Sequence, residues 1–227
     1  MLENKCPRSG AALAAGRFAA GEDPAKREQI LDGAKRVFMR LGFDAASMND
    51  ITREAGVSKG TIYVYFQNKD DLFAAIMERE RTRLAESMRD ILDGSEEVED
   101  GLYRFGVAFA ERVTSHETIS AMRTMISVAP RMPILSQRFF QDDSMNIRFF
   151  LERFLIRQIA RGVLRMDDVS QAARHFLELS TGTFMKMRLF GHMAQPPSRA
   201  EIEKQINSAV RLFMAGYGAS PDHARPA

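Results

Sequence analysis

Apolar residues recur every three or four positions along this chain, in segments punctuated by prolines, glycines and capping residues. Ile30, Ala34, Val37, Phe38 and Leu41 make the first stripe, opened by Asp23-Pro24 and closed by Gly42. Ser47 with Asp50 reads as the capped start of a short second helix, with Ile51 and Ala55 inward. Gly56 stops it and Ser58 caps a third. Asn68 caps a longer helix through Leu72, Phe73, Ile76 and Leu84 to about Leu92, with Asp70 and Asp71 in its first turn.

The period continues beyond Asp93-Gly94. Ser95 is expected to cap a stripe of Val98, Leu102, Phe105, Phe109 and Val113, followed by one of Ile119, Met122, Ile126 and Ala129 that Pro130 and Pro133 end. Ser144 to Gly162 is apolar on more than one side, Asp168 opens a long segment to Gly191, and Ser198 with Glu201 forms a capping box. The last stripe is Ile202, Ile206, Ala209, Val210 and Phe213. No segment alternates like a strand. The pattern predicts an all-α protein: an N-terminal three-helix helix-turn-helix domain, then a larger helical domain. The expected boundaries are a disordered leader (1–22), the small domain (23–68), a connecting helix (69–94), the large domain (95–218) and a disordered tail (219–227).

Composition changes this picture little. With 45% hydrophobic and 27% charged residues, the 227-residue chain has ordinary globular values. No run reaches the roughly 18 apolar residues that a bilayer requires. The single cysteine, Cys6, excludes an intramolecular disulfide framework and fits a reducing cytoplasm. Net charge is only +2, but eight basic against five acidic residues lie between Pro24 and Lys69. That bias matters if the basic residues share a face.

The chemistry concentrates in GVSKGTIYVYFQNKDDLF, Gly56 to Phe73. Helix two, a turn at Gly56 and helix three have helix-turn-helix punctuation. Ile62 and Phe66 point inward, leaving Lys59, Gly60, Thr61, Tyr63 and Tyr65 for other directions. An ammonium, hydroxyls, phenols and bare backbone suit a duplex. Gly60 costs about 1 kcal/mol of helix propensity relative to alanine, so its reason is expected outside the helix. Lys69 stands at a helix start, where a cation is disfavoured unless an anion arrives.

These residues resemble the TetR family of bacterial repressors. The resemblance runs from Arg27 to about Leu84, through Ser47-Met48-Asn49-Asp50-Ile51, Ala55 to Tyr63, Tyr65-Phe66, Asn68-Lys69 and Leu72. The remainder is similar, more loosely, to AcrR-like and AefR-like regulators, through Arg123, Pro130…Pro133 before an aromatic pair, Gly162-Val163-Leu164 and Ala209…Phe213…Tyr217-Gly218. The resemblance implies a homodimer on a double-stranded operator, with a small hydrophobic effector inside each subunit. It places Ser47, Tyr63, Tyr65 and Lys69 at phosphates, and Met48, Asn49, Lys59, Thr61 and Val64 nearest the base edges, with Ser58 and Gly60 between them. Candidate effector contacts are Phe109, Met122, Arg123, Ile126, Phe150, Phe154 and Phe184. Candidate dimer contacts, on the last two long helices, are Phe176, Leu179, Thr183, Met187, Ile202, Ile206 and Val210.

Simpler readings stand beside these. Met122, Met185, Met187 and the phenylalanines also read as core, Tyr63 and Tyr65 as rings packed on helix one, Arg123 as a buried ion-pair partner, and His175 as a surface or dimer-face residue. An effector-independent regulator or an activator is the alternative function. An enzyme is disfavoured: no G-x-S-x-G, H-E-x-x-H or G-x-G-x-x-G occurs. No cofactor, metal or membrane partner is expected.

Overall fold

Asp23 accepts hydrogen bonds from the N–H groups of Ala25 and Lys26, at 2.9 and 3.2 Å, and so starts α1, Pro24–Leu41. Ser47 and Asp50 form a reciprocal capping box at the head of α2, Met48–Ala55. Gly56 then turns the chain with φ 63°, a left-handed conformation that glycine adopts without strain. Ser58 caps α3, Lys59–Tyr65, and Asn68 caps α4, Lys69–Asp93. There follow α5 (Val98–Thr114), α6 (His116–Val128), α7 (Ile147–Ala160), α8 (Val169–Leu189) and α9 (Arg199–Tyr217). The computed structural model describes residue 19, residues 21–133, residue 137 and residues 146–219. Most of the leader, all but one residue of the tail and the aromatic pair Phe139-Phe140 lie outside them. Among the described residues no strand occurs, only an isolated bridge between Leu164 and Gly218.

Two cores follow from the stripes. Ile30, Leu31, Val37, Ile51, Ile62, Phe66, Leu72 and Ile76 close the small domain around α1 to α3 and the start of α4. α1 and α2 approach so closely that a Cβ on Gly33 would lie 2.7 Å from Ala55 Cα. The larger core joins Met88 and Leu92 of α4 to Leu102, Phe105, Phe154, Phe176, Ile206 and Phe213. A third cluster links the domains: Phe43 and Phe73 pack with Met125 and Val128 of α6, and Phe38 joins them from α1. The three phenylalanine centroids stand 5.2 to 6.1 Å apart. α4 thus belongs to both domains, while α6 touches the small one directly.

Some expectations are corrected. Leu41 and Ile126 are exposed, on sides of α1 and α6 that no neighbouring helix covers. Ser95 does not cap α5; its hydroxyl donates to Ile91 O at 2.9 Å, and Glu97 holds the cap position without a side-chain bond. α7 begins within the apolar stretch read from Ser144, with Asn146 accepting from Arg148 N–H as its cap.

Candidate nucleic-acid interface and internal cavity

α3 carries its contrast within one turn. Ile62 is fully buried, whereas Tyr63 and Val64 are 44% and 52% exposed. Lys59, Gly60, Ser47 and Asn49 are also exposed, and Met48 and Tyr65 pack partly against the small core. A Cβ on Gly60 would meet only Ser58 Oγ, at 3.8 Å, so nothing inside the subunit demands glycine there. Ser58 accepts from Thr61 N–H at 3.0 Å, and the two hydroxyls lie 2.7 Å apart, which fixes them at the head of α3. The Ser47 hydroxyl bonds the Asp50 carboxylate, which with the Ser47 N–H and Arg53 holds that carboxyl below its ordinary range. Asp50 is therefore committed to the α2 cap, and Asn49 beside it keeps an exposed amide.

Lys69 has a role that its sequence context did not reveal. Its ammonium donates to Phe43 O and Asp44 O, both at 2.9 Å, and to Ala46 O at 3.3 Å, and it sits 4.8 Å from the Phe43 ring centroid. Its three donors clamp the loop between α1 and α2. The carbonyls supply the negative partial charge that the helix start lacks, so no external anion is needed to hold Lys69 there.

Between α4, α5, α6, α7 and α8 lies a cavity of about 510 Å³. Leu84, Phe109, Met122, Ile147, Leu177 and Met185 give it an apolar wall. Lys35, Phe38 and Met39 of α1 also line it, with Glu80, Arg112 and Glu117. Of the candidate effector contacts, Phe109 and Met122 stand at this cavity. Phe150, Phe154, Ile126 and Phe184 do not line it: Phe154 is enclosed against Gly101, Phe150 is buried in the larger core, and Ile126 points to solvent. Arg123 caps the end of α8, donating to Leu189 O at 3.0 Å and Arg188 O at 2.8 Å.

The polar rim of the cavity is an ion-pair network that sequence reading missed. Lys35 of α1 bonds Glu80 of α4 at 3.0 Å and also Glu117 of α6. Arg112 of α5 bridges the same two carboxylates, at 2.7 and 3.1 Å. Arg79, nearly buried, joins Glu28 and Asp32 of α1 at 3.0 and 2.8 Å. Burial alone would raise the Glu80 carboxyl's pKa, but the Lys35 hydrogen bond and the Lys35, Arg79 and Arg112 charges outweigh it and hold the group low. α1 is thereby tied to the cavity wall through paired charges.

The N-terminal 30–76 segment matches the model described as bacterial regulatory proteins, tetR family, and residues 100–219 match the AefR-like transcriptional repressor C-terminal domain. The second match spans more than half of the chain. The chain belongs to the TetR family. It is 33% identical over 194 residues to the transcriptional repressor AcnR of Corynebacterium efficiens, covering 85% of this chain and 97% of that protein. A TetR-family regulator from Mesorhizobium loti shares its fold with a TM-score of 0.79 at 24% identity, covering 86% of this chain and 97% of that one. The flavonoid-responsive regulator FrrA superposes with a TM-score of 0.66 at 26% identity, covering 87% and 98%. TetR-family members are transcriptional regulators, not enzymes, and their repressors bind DNA operators and typically act as dimers.

In this TetR-family chain the candidate dimer contacts divide. Phe176, Ile202, Ile206 and Val210 are buried in the subunit's own core, where Phe176 stacks edge-on with Phe213 at 5.5 Å. They support α8 and α9 from beneath and leave no surface for a partner. Thr183 is exposed and Leu179 and Met187 half-buried, and Phe190 and Leu212 stand outward at 84% and 59% exposure. His175 is exposed, with Nδ1 2.8 Å from Tyr217 Oη. Among the described residues no helix is long and apolar enough to cross a membrane.

Proposed function

We propose that this regulator binds a pseudo-palindromic operator as a homodimer and is released by a small apolar effector held in the 510 Å³ cavity. The carrying observation is that α1, part of the DNA-binding domain, supplies Lys35, Phe38 and Met39 to that cavity's wall. An occupant is felt by the small domain without an intermediary. The mixed apolar wall and charged rim fit a ligand with a hydrophobic body and a small polar group. The structurally similar regulator FrrA is described as flavonoid-responsive.

On the DNA side, Tyr63, Tyr65, Ser47 and Lys69 are assigned to phosphates, with Lys69 doing so by field or by exchanging one carbonyl. Met48, Asn49, Lys59, Thr61 and Val64 face the base edges, and Ser58 and Gly60 allow α3 to approach closely. Repression follows if the ligand-free dimer holds its two α3 helices at the spacing of successive major grooves. The effector must favour the other spacing, since equal affinity for both shifts nothing. Such a role is exercised in the cytoplasm. The effector-independent reading gives the cavity no task, which is why it ranks second.

Selection of full-length protein against randomised duplexes tests this. Enrichment of two inverted half-sites, protected together in a footprint, is expected. Enrichment of no sequence, or of a single isolated half-site, contradicts the dimeric-operator reading.

A further inference from the structure

A second cavity, of about 460 Å³, lies behind α6, at the turn between α8 and α9. Its charged wall differs from that of the first. Arg123, Arg188 and His116 line it, and among the described residues its lining holds no carboxylate. Arg188 is only 3% exposed. Its Nε donates to Thr114 O at 3.0 Å and its Nη1 to Met193 O at 3.0 Å and Ala194 O at 2.5 Å. Those contacts are all to neutral carbonyls, and Nη2 has no acceptor among the described residues. Arg123 likewise spends Nε and Nη2 on carbonyls and keeps Nη1 without one. Arg79, the other nearly buried arginine among the described residues, meets carboxylates.

A buried guanidinium without an anionic partner is costly, because carbonyl dipoles at helix ends offset only part of its charge. Arg188 is such a group, and the exposed Arg123 at the same cavity adds a second guanidinium, so that the pair forms a preset receptor for an anion with several oxygens, which a planar guanidinium fork fits bidentately. We propose that this cavity binds a small multivalent oxyanion, either a phosphate group or a polycarboxylate, between Arg123 and Arg188. The site adjoins the apolar effector cavity but presents different chemistry, and anion binding there does not require an apolar effector. It shares Met39 of α1 and Ser120 of α6 with that cavity, so its occupancy braces α6 and touches the DNA-binding domain.

Thermal unfolding of the full-length protein is followed with sodium phosphate and, separately, sodium citrate, each against sodium chloride at matched ionic strength. A saturable rise in melting temperature beyond the chloride control is expected with at least one of them. A response to phosphate alone identifies a phosphate group, and one to citrate alone a polycarboxylate. Arg123→Gln is expected to weaken binding by about tenfold or more. Because Arg123 also caps α8, Ala194→Glu, at an exposed position on the rim, serves as the second variant and is expected to abolish the response by placing a competing carboxylate there. No rise beyond chloride, or an undiminished response in both folded variants, overturns the proposal.

Discussion

Gly60 and Lys69 separate what one residue does for the fold from what it does for DNA. No atom of the subunit crowds Gly60, so alanine there gains helix propensity at no steric cost. Gly60→Ala is expected to leave the melting temperature unchanged or raise it by a few degrees, about 1 kcal/mol. Operator affinity, measured by gel shift, falls by about tenfold, because the added methyl occupies the surface that DNA approaches. Lys69 gives the opposite case. Lys69→Met leaves three loop carbonyls without their ammonium and is expected to cost about 1–3 kcal/mol in urea unfolding, before any DNA is added. The residue type and helix position of Lys69 were legible in the sequence, but its carbonyl partners lie more than twenty positions upstream and were not.

The helices were legible because their start signals are local. Ser47, Ser58, Asn68, Asp168 and Ser198 cap where the sequence places them, since the donor and acceptor lie within three residues. Which side of a helix meets which neighbour is not local. The family resemblance puts Phe176, Ile202, Ile206 and Val210 at a partner subunit, yet these four lie in the subunit's own core. The outward faces that remain carry Leu212, Phe190 and Thr183. Leu212→Glu is therefore expected to shift the protein toward monomer in sedimentation at micromolar concentration while leaving its helical content intact, because the substitution adds charge only at an exposed site. An unchanged dimer would move the interface elsewhere. The same difficulty explains Phe154 and Phe150, whose aromatic character suggested a pocket but whose rings fill core space.

Across the whole molecule, the two domains are joined by Phe38, Phe43 and Phe73 against α6 and by the Lys35–Glu80–Arg112–Glu117 network. Neither was visible in sequence, because the charges come from four helices. Glu80 gives the network a pH signature. Its folded pKa lies below the ordinary carboxylate value of about 4.3, so its stabilisation is complete above that value. It is lost as pH falls through the lower folded value. Glu80→Gln is expected to be less stable than the parent at neutral pH and to lose less stability on acidification, as read from urea midpoints across the acid range. A parallel pH dependence in both proteins would show that Glu80 is not a linked group. Ligand-controlled repression requires above all that the cavity communicate with α3. The direct measurement is operator affinity, by fluorescence anisotropy, in the presence of small apolar compounds first chosen because they raise the protein's melting temperature and lose that effect when Met122→Trp fills the cavity. These compounds are predicted to weaken operator binding in proportion to their affinity for the protein. Compounds that bind the cavity while operator affinity stays unchanged would contradict ligand-controlled repression.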